Sequence, residues 1–369
     1  MAPLYELWIY DRTGVLKRRV TDFLRLEYVK VINDVGLLSF EFQAGHSAIA
    51  YLEQDGIIEV QREDPEAGIT RYVDFGGLYV DDWKRYANRD GNSYFRANSP
   101  DYTDLLAREI VDWTANTTNR STFSAAKAET IAKTLVTYNA TNSATTANGR
   151  RRTSDLTNKT ITIQADGALG TTLTLGCAWQ NLLTTLQGIA KTGGGDFNMV
   201  RGTGAAFEFR WYNGQLGTDR SATIKFSLAY DNMESPVLTR NRLREKTVAV
   251  TGGQGQEGQR LLVTRTGTNY NATYHSRVSF VQASQYSAAA GLNQAADERL
   301  WELEARDELN FGIKQTAAKM YGRDYFHGDL VEGYYEGVTA TKQIIKTTVT
   351  VAASGGTQVE MIQAETSNV

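Results

Sequence analysis

Near the C-terminus, the stretch YGRDYFHGDLVEGYYEG, residues 321–337, sets His327 between Asp324 and Asp329. An imidazole held by a carboxylate is the usual general base, and a nucleophile beside it would complete a catalytic site. No G-x-S-x-G elbow occurs anywhere in the chain. The other histidines, His46 and His275, are remote in sequence, so no H-x-H or H-E-x-x-H metal signature forms. Cys177 is the only cysteine, which excludes an intramolecular disulfide and a cysteine-based zinc cluster. The preferred reading is a tight turn into a strand. Gly328 relieves the backbone, Asp329 caps the turn through its own side chain, and Tyr334 and Tyr335 fall on opposite faces.

Other spacings invite the same question. Gly253-x-Gly255-x-x-Gly258 has the letters of a dinucleotide fingerprint, which needs a strand before it and a helix after it. Here RLLVTRT follows, a strand pattern, and no Lys-Ser or Lys-Thr completes a phosphate loop. Glu298 and Glu302 share a helix face as a possible acid/base pair, but Asp297, Arg299, Arg306 and Asp307 surround them, which favours a solvated charged face. Arg150, Arg151 and Arg152 form the only strong basic run and could meet phosphates or an acidic partner; a solvated loop tip is the preferred reading. Asp81-Asp82 beside Trp83 suits a channel, an interface or an ordinary sheet rim. The chain carries six Trp and 19 Tyr, more than catalysis needs, so most should serve cores or subunit interfaces. No cofactor is expected.

Composition narrows the class. The 369 residues are 41% hydrophobic and 22% charged, which marks a globular chain. A chain of this size buries roughly 75% of its unfolded surface and tends to divide into domains. The formal charge of −3 offers no basic excess for sequence-independent DNA binding. MAPLYELWIYD lacks a secretory signal pattern, and no run approaches the roughly 18 apolar residues of a membrane span. Without a signal, the N-x-S/T sequons at Asn116, Asn119, Asn139, Asn158 and Asn271 are expected in polar loops.

The elements that must position these residues are mostly strands. LYELWIYD, FLRLEYVKVIND, VGLLSFEFQA, GIIEVQRE, TRYVDFGGLYVDDWKRYA and SYFRANS alternate, with turns at DRTG, Asp64–Gly68 and NRDGN. A helix is expected from Ser99 as N-cap and Pro100 at the first position, with Leu106, Ile110 and Trp113 in one stripe. AAKAETIAKTLVTYN reads as a second helix, and residues 141–159 as a mobile loop. KTITIQA and TTLTLG read as strands. AWQNLLTTLQGIAKTGGG reads as an amphipathic helix with Trp179 in its stripe and Gly193 as terminator. DFNMV, AAFEFRWYN and ATIKFSLAY return to strand. Strand patterns continue to the end, interrupted by a helix over LNQAADERLWELEARDEL with a Glu302–Arg306 pair, and a last hairpin turns at Ser354-Gly355-Gly356.

Several of these stretches, in order, resemble one family. LYELWIYDRTG with DFLRLEYVKVINDVGLLSFEF, then GIIEVQRED, GLYVDDWKR and FRANSPDYTDLLAREI, are similar to the N-terminal strands and barrel-to-helix passage of the siphophage tail-tip hub proteins. These are also called tail-associated proteins and share a fold with the phage baseplate hub. VAVTGGQGQEGQRLLV resembles the family's Gly-rich segment ending at an Arg, here Arg260. ADERLWELEARDEL looks like its helix, and YFHGDLVEG like its late turn and strand. The Thr/Asn-rich loop at 139–159 departs from the pattern.

The resemblance implies a mainly β fold with α+β insertions. It implies an N-terminal antiparallel, tail-tube-like β-barrel domain (1–98), an inserted α+β domain (99–235) and a second barrel (236–369) carrying a helix insertion near 291–309. It implies a homotrimer whose two barrels per copy give a pseudo-sixfold ring at the virion's tail tip, assembled from chains made in the host bacterial cytoplasm. Expected partners are the distal tail protein ring, the tape-measure protein and a tip fibre or spike, with DNA only in transit. Ending at Val369, the chain looks like a minimal hub without the enzymatic extension of some relatives. An interface role also suits the aromatic count. Two alternatives stay open: a glycan-binding receptor-recognition protein and a cell-wall-degrading tail enzyme. The absence of a Cys/His or zinc motif counts against the latter.

Overall fold

The computed structural model describes residues 4–112, 121–144, 160–240, 242–305, 307–354 and 357–368. The chain forms two compact units, 1–235 with 311–369, and 236–310.

The first unit begins with β1 (Leu4–Tyr10), β2 (Leu16–Val20), β3 (Arg25–Val31), β4 (Leu37–Gln43), β5 (Ile57–Asp64), β6 (Ile69–Leu78), β7 (Asp82–Ala87) and β8 (Ser93–Pro100). Alternation works as the sequence suggests: Tyr5, Leu7 and Ile9 are buried from β1, and Leu38, Phe40 and Phe42 from β4. The long expected strand through VDDWKRYA is broken. Asp81 takes a positive φ of 59° and accepts the Trp83 indole N–H, so β6 and β7 end up in different sheets. One sheet is β2-β1-β5-β6.

The helix expected from Ser99 starts later. Pro100 closes β8 opposite Leu37, because strand pairing satisfies this backbone before a helix can. The Asp101 carboxylate accepts the Gly36 and Thr103 N–H groups, and α1 spans only Asp104–Ala107 after Thr103. Ile110 therefore lies outside it, and Trp113 outside the described residues. Then come β9 (Ser121–Lys127), α2 (Ala128–Ala140), β10 (Thr160–Ile163), β11 (Thr172–Cys177), α3 (Leu182–Gly193), β12 (Gly195–Arg201), β13 (Ala206–Asn213) and β14 (Lys225–Ser227). The Asn181 side chain caps α3 by accepting the Thr184 N–H at 3.1 Å. Its C-cap is Gly194, at φ 68°, one residue beyond the expected Gly193. Trp179 precedes the cap and is exposed, not part of the stripe. Ile131, Leu135, Leu186, Ile189, Phe197 and Trp211 are buried in one apolar core joining α2, α3, β12 and β13. Asn139 is no loop sequon: fully buried in α2, it accepts the Asp112 N–H and donates to the Leu135 carbonyl. Asn116, Asn119, Asn158 and most of the 141–159 loop lie outside the described residues.

The second unit opens within β15 (Met233–Arg240) and contains β16 (Val248–Gly252), β17 (Leu262–Thr266), β18 (Val278–Gln282) and α4 (Ala289–Glu302). Its sheet runs β17-β16-β18, with β16 antiparallel to β17 and parallel to β18. Ala249, Ala296 and Leu300 form its small core, and Arg265 pairs with Asp297 at 2.9 Å to tie β17 to α4. α4 ends at Glu302, short of spanning the expected Glu302–Arg306 pair; Arg306 lies outside the described residues, and Glu302 pairs with Arg299.

The chain closes with β19 (Asp307–Ile313), β20 (Leu330–Tyr335), β21 (Val338–Ser354) and β22 (Thr357–Asn368). β21 pairs with β22 from Lys342 to Ser354 and also with β3, which joins late and early sequence in one sheet. That ten-stranded sheet runs β15-β19-β22-β21-β3-β4-β8-β7, with β20 on β21 and β14 on β20. It is an open path. Ser354 faces Thr357 at the last hairpin, whose Gly355 and Gly356 lie outside the described residues.

Candidate functional site

The His–Asp constellation that the letters allow, but over which a turn is preferred, does not assemble. His327 Nδ1 lies 3.1 Å from Thr347 Oγ1. Burial, helped by the Lys30 charge, holds its imidazole down at about 3, so the ring is neutral. Asp324 turns to Arg323 and to the Met320 N–H. Asp329 accepts the Thr218 N–H at 2.7 Å, the Phe326 N–H at 2.9 Å and Arg220 Nε at 2.7 Å. Gly328 stands at φ 91°, and a Cβ there would lie 3.0 Å from the Gly217 nitrogen. The Gly328 N–H donates to the Ile344 carbonyl, and the Gly217 N–H donates to the Gly328 carbonyl. Gly328 and Asp329 thus clamp the 216–220 loop to β20 and β21. On β20, Tyr334 is exposed and Tyr335 partly buried.

Just before this turn lies a buried polar junction that single-sequence patterns do not reveal. Arg62 on β5 is fully buried. It donates to the Tyr5 hydroxyl at 2.7 Å, to the Tyr321 carbonyl at 2.9 Å and to both Glu360 oxygens at 3.1 Å. Alongside, Lys30 Nζ reaches Asp74 Oδ1 at 2.6 Å and the Tyr321 hydroxyl at 2.6 Å, and Tyr28 donates to Asp74 Oδ2. Burial, the largest single influence, would raise the Asp74 carboxyl; the Lys30 charge, the hydrogen bonds from Lys30 and Tyr28 and the Arg62 charge together outweigh it and hold the group below its usual range. Gln358 bonds both the N–H and the carbonyl of Tyr5. Two cations and two anions therefore cancel where β1, β5 and β6 meet β3, β22 and the 321–329 turn.

A second pair fastens the α+β segment. Arg201 on β12 donates to Glu59 Oε1 at 2.9 Å, and Tyr10 donates to Glu59 Oε2. Gly14 and Gly204 touch so closely that a Cβ on Gly14 would lie 2.3 Å from the Gly204 carbonyl carbon. Between the two charged groups lies a cleft of about 500 Å³, lined among others by Lys30, Asp74, Asp101, Arg201, Phe326 and His327. Burial pushes the Asp101 carboxyl up to about 7. The charged groups facing this cleft are spent on one another or on backbone, an arrangement that braces strands.

The remaining candidates separate. Gly253, Gly255 and Gly258 sit in the β16–β17 hairpin, whose single 3-10 turn at Glu257–Gln259 leads into a strand, so no helix N-terminus faces a phosphate. Glu298 accepts from Gln294, and Glu302 pairs with Arg299. Arg150, Arg151 and Arg152 lie outside the described residues. Trp83 stacks on Phe95 on edge strand β7, every residue of which is exposed. His46 caps a short 3-10 turn by accepting the Ala48 N–H, and its Nε2 meets Asp22 at 3.0 Å. Among the described residues, no group of three or more His, Cys, Asp or Glu is placed to hold a metal ion, and no helix is long and apolar enough to cross a membrane.

Comparison with known proteins supplies what the site chemistry does not. The sequence profile described as Siphovirus ReqiPepy6 Gp37-like protein matches residues 6–362. No curated protein matches the sequence. The 43 kDa tail protein of prophage MuSo2 from Shewanella oneidensis superposes with a TM-score of 0.60 at 10% identity, covering 100% of this chain and 98% of that one. Prophage tail protein gp18 from Listeria monocytogenes gives 0.59 at 12%, covering 99% and 94%. A tail protein from Neisseria meningitidis gives 0.57 at 12%, covering 100% and 97%. At these identities the likeness is one of fold.

Proposed function

The chain belongs to the Siphovirus ReqiPepy6 Gp37-like family of phage tail proteins, and we propose that it is the structural hub of a siphovirus tail tip. In this reading three copies form a ring around the channel for tape measure and DNA. Each copy contributes two tube-like domains to that ring. The pseudo-sixfold result matches a tail tube on one side, through the distal tail protein, and a fibre or spike on the other. The role is mechanical and needs no reaction.

The observation that carries the proposal is likeness in fold over essentially the whole chain to phage tail proteins of similar length. The paired-off charges around Arg62 and Glu59 suit a scaffold that must hold several sheets rigid. Gold-labelled antibody against the chain should decorate the distal end of the tail on intact virions. Labelling along the tail shaft or on the capsid would sink the hub reading.

One observation favours a second reading, glycan recognition: Trp83 and Tyr86 stand 48% and 40% exposed on an edge strand. Saccharide binding by the purified chain, lost in Trp83→Ala, would support it.

A further inference from the structure

Within the second unit, α4 packs on one side of the sheet. Ala249, Thr251 and Val281 face α4, with Ala249 and Thr251 fully buried. By strand alternation and the paired register, Val248, Val250, Val278, Phe280 and Leu262 share the opposite face. Val278, Phe280 and Leu262 are 51%, 56% and 55% exposed there. A sheet with an apolar face demands a covering layer.

The face also carries a charged anchor. Arg260 lies over the Phe280 ring, 5.3 Å from its centroid. Both pack on Gly252, where a Cβ would come within 2.5 Å of Arg260 Nε and 2.7 Å of Phe280 Cζ. The guanidinium donates one bond to the Gly252 carbonyl, while its buried Nε meets no acceptor. An apolar face holding a half-used guanidinium fits an amphipathic element that brings an aromatic ring and a carboxylate.

The same chain carries such an element. Leu292, Ala296 and Leu300 turn α4 inward, which places Gln294, Glu298 and Trp301 on its opposite stripe, where Gln294 and Glu298 are partly buried and Gln294 donates to one Glu298 oxygen at 2.9 Å. Trp301 is 50% exposed, and Glu298 lies three residues before it.

We infer that the bare face of the β17-β16-β18 sheet is the socket for the outer stripe of α4 from a second copy of this chain, with Trp301 against Leu262, Val278 and Phe280 and the Glu298 carboxylate on Arg260. The inference rests on the hub reading and names the surface that joins its copies. Socket and plug differ, so the contact is head-to-tail, and three such contacts close a ring.

The test uses the full-length chain with Val278→Cys and Trp301→Cys together, oxidised both in purified protein and in assembled tail tips. The native Cys177 is buried and stays out of the reaction. Dimer and trimer bands on a non-reducing gel are expected from the double variant and from neither single one. A self-linked dimer from either single variant, or no intermolecular band from tips that hold three copies, overturns the socket and leaves the hub reading standing. Tips with one copy overturn both. Arg260→Glu should lower the trimer fraction at least tenfold, and adding Glu298→Arg should restore it. A trimer unaffected by Arg260→Glu in a chain with unchanged circular dichroism overturns the charged anchor. Tips whose socket cross-links only to another tail protein assign the face to that partner and overturn the self-contact.

Discussion

The first unit buries its charges in pairs, whereas the second leaves apolar side chains in solvent. Arg62, Lys30, Asp74 and Glu360 sit inside the molecule, each facing an opposite charge. Phe280, Val278 and Leu262 sit outside, half exposed, with Arg260 of their own unit lying over the Phe280 ring. Burying ions is costly and gives little net stability over an apolar core, so such a junction is better understood as fixing which strands meet. An uncovered apolar face has the opposite logic, because it favours association. On the proposed self-contact, one region is finished when the chain folds and the other when copies meet.

The contrast is broken most sharply at Arg62. Replacing it with Met leaves the Glu360 carboxylate without its cation, bonded only by the neutral Tyr5 and Gln315 side chains, and should cost ~3–5 kcal/mol in urea unfolding. The paired change Arg62→Met with Glu360→Met should recover most of that loss. A silent single variant would mean the junction does not hold the sheets.

Gly328→Val comes next. The φ of 91° and the nearby Gly217 nitrogen should cost ~1–3 kcal/mol in thermal melts and lower tip assembly. His327→Gln should remove no chemical step and instead change the response to acid. The folded imidazole stays neutral down to about 3, while the unfolded one protonates near 6.5. Stability therefore falls as pH drops through that window, at up to about 1.4 kcal/mol per pH unit. Asp101 works the other way: its folded carboxyl is raised to about 7 from 3.8, so its contribution is full below 3.8 and lost as pH rises through 7. Urea titrations at stepped pH should show His327→Gln losing less stability on acidification than the parent, and Asp101→Asn losing more. The smallest effect belongs to the second unit. Phe280→Ser should move the monomer's unfolding free energy by only ~0.5 kcal/mol while weakening association. A large loss of monomer stability would show that the face supports the fold.

Much of this was legible in the sequence where local rules decide. Alternation in LYELWIYD and VGLLSFEFQA, the stripe of α3 and the Asn88–Asn92 turn all follow from neighbours in the chain. The misses came where distant residues outbid local propensity. Ser99-Pro100 carries a good helix start, but Leu37 pairs with Pro100 first. The Arg62 junction joins positions 5, 62, 321 and 360, and no spacing in one sequence links them. His327 and its flanking aspartates suggested a site because they are adjacent in sequence, yet each faces a different neighbour in space. The bare face of the second unit was half visible: VAVT and SRVSFVQ alternate, but only the register with β17 and the place of α4 show which side lacks cover.

The hub account stands or falls on the number and arrangement of copies in the virion. Electron cryomicroscopy of intact tail tips, reconstructed without imposed symmetry, should show three copies of this chain in a closed ring around the channel axis. A single copy, or copies placed away from that axis, would contradict it.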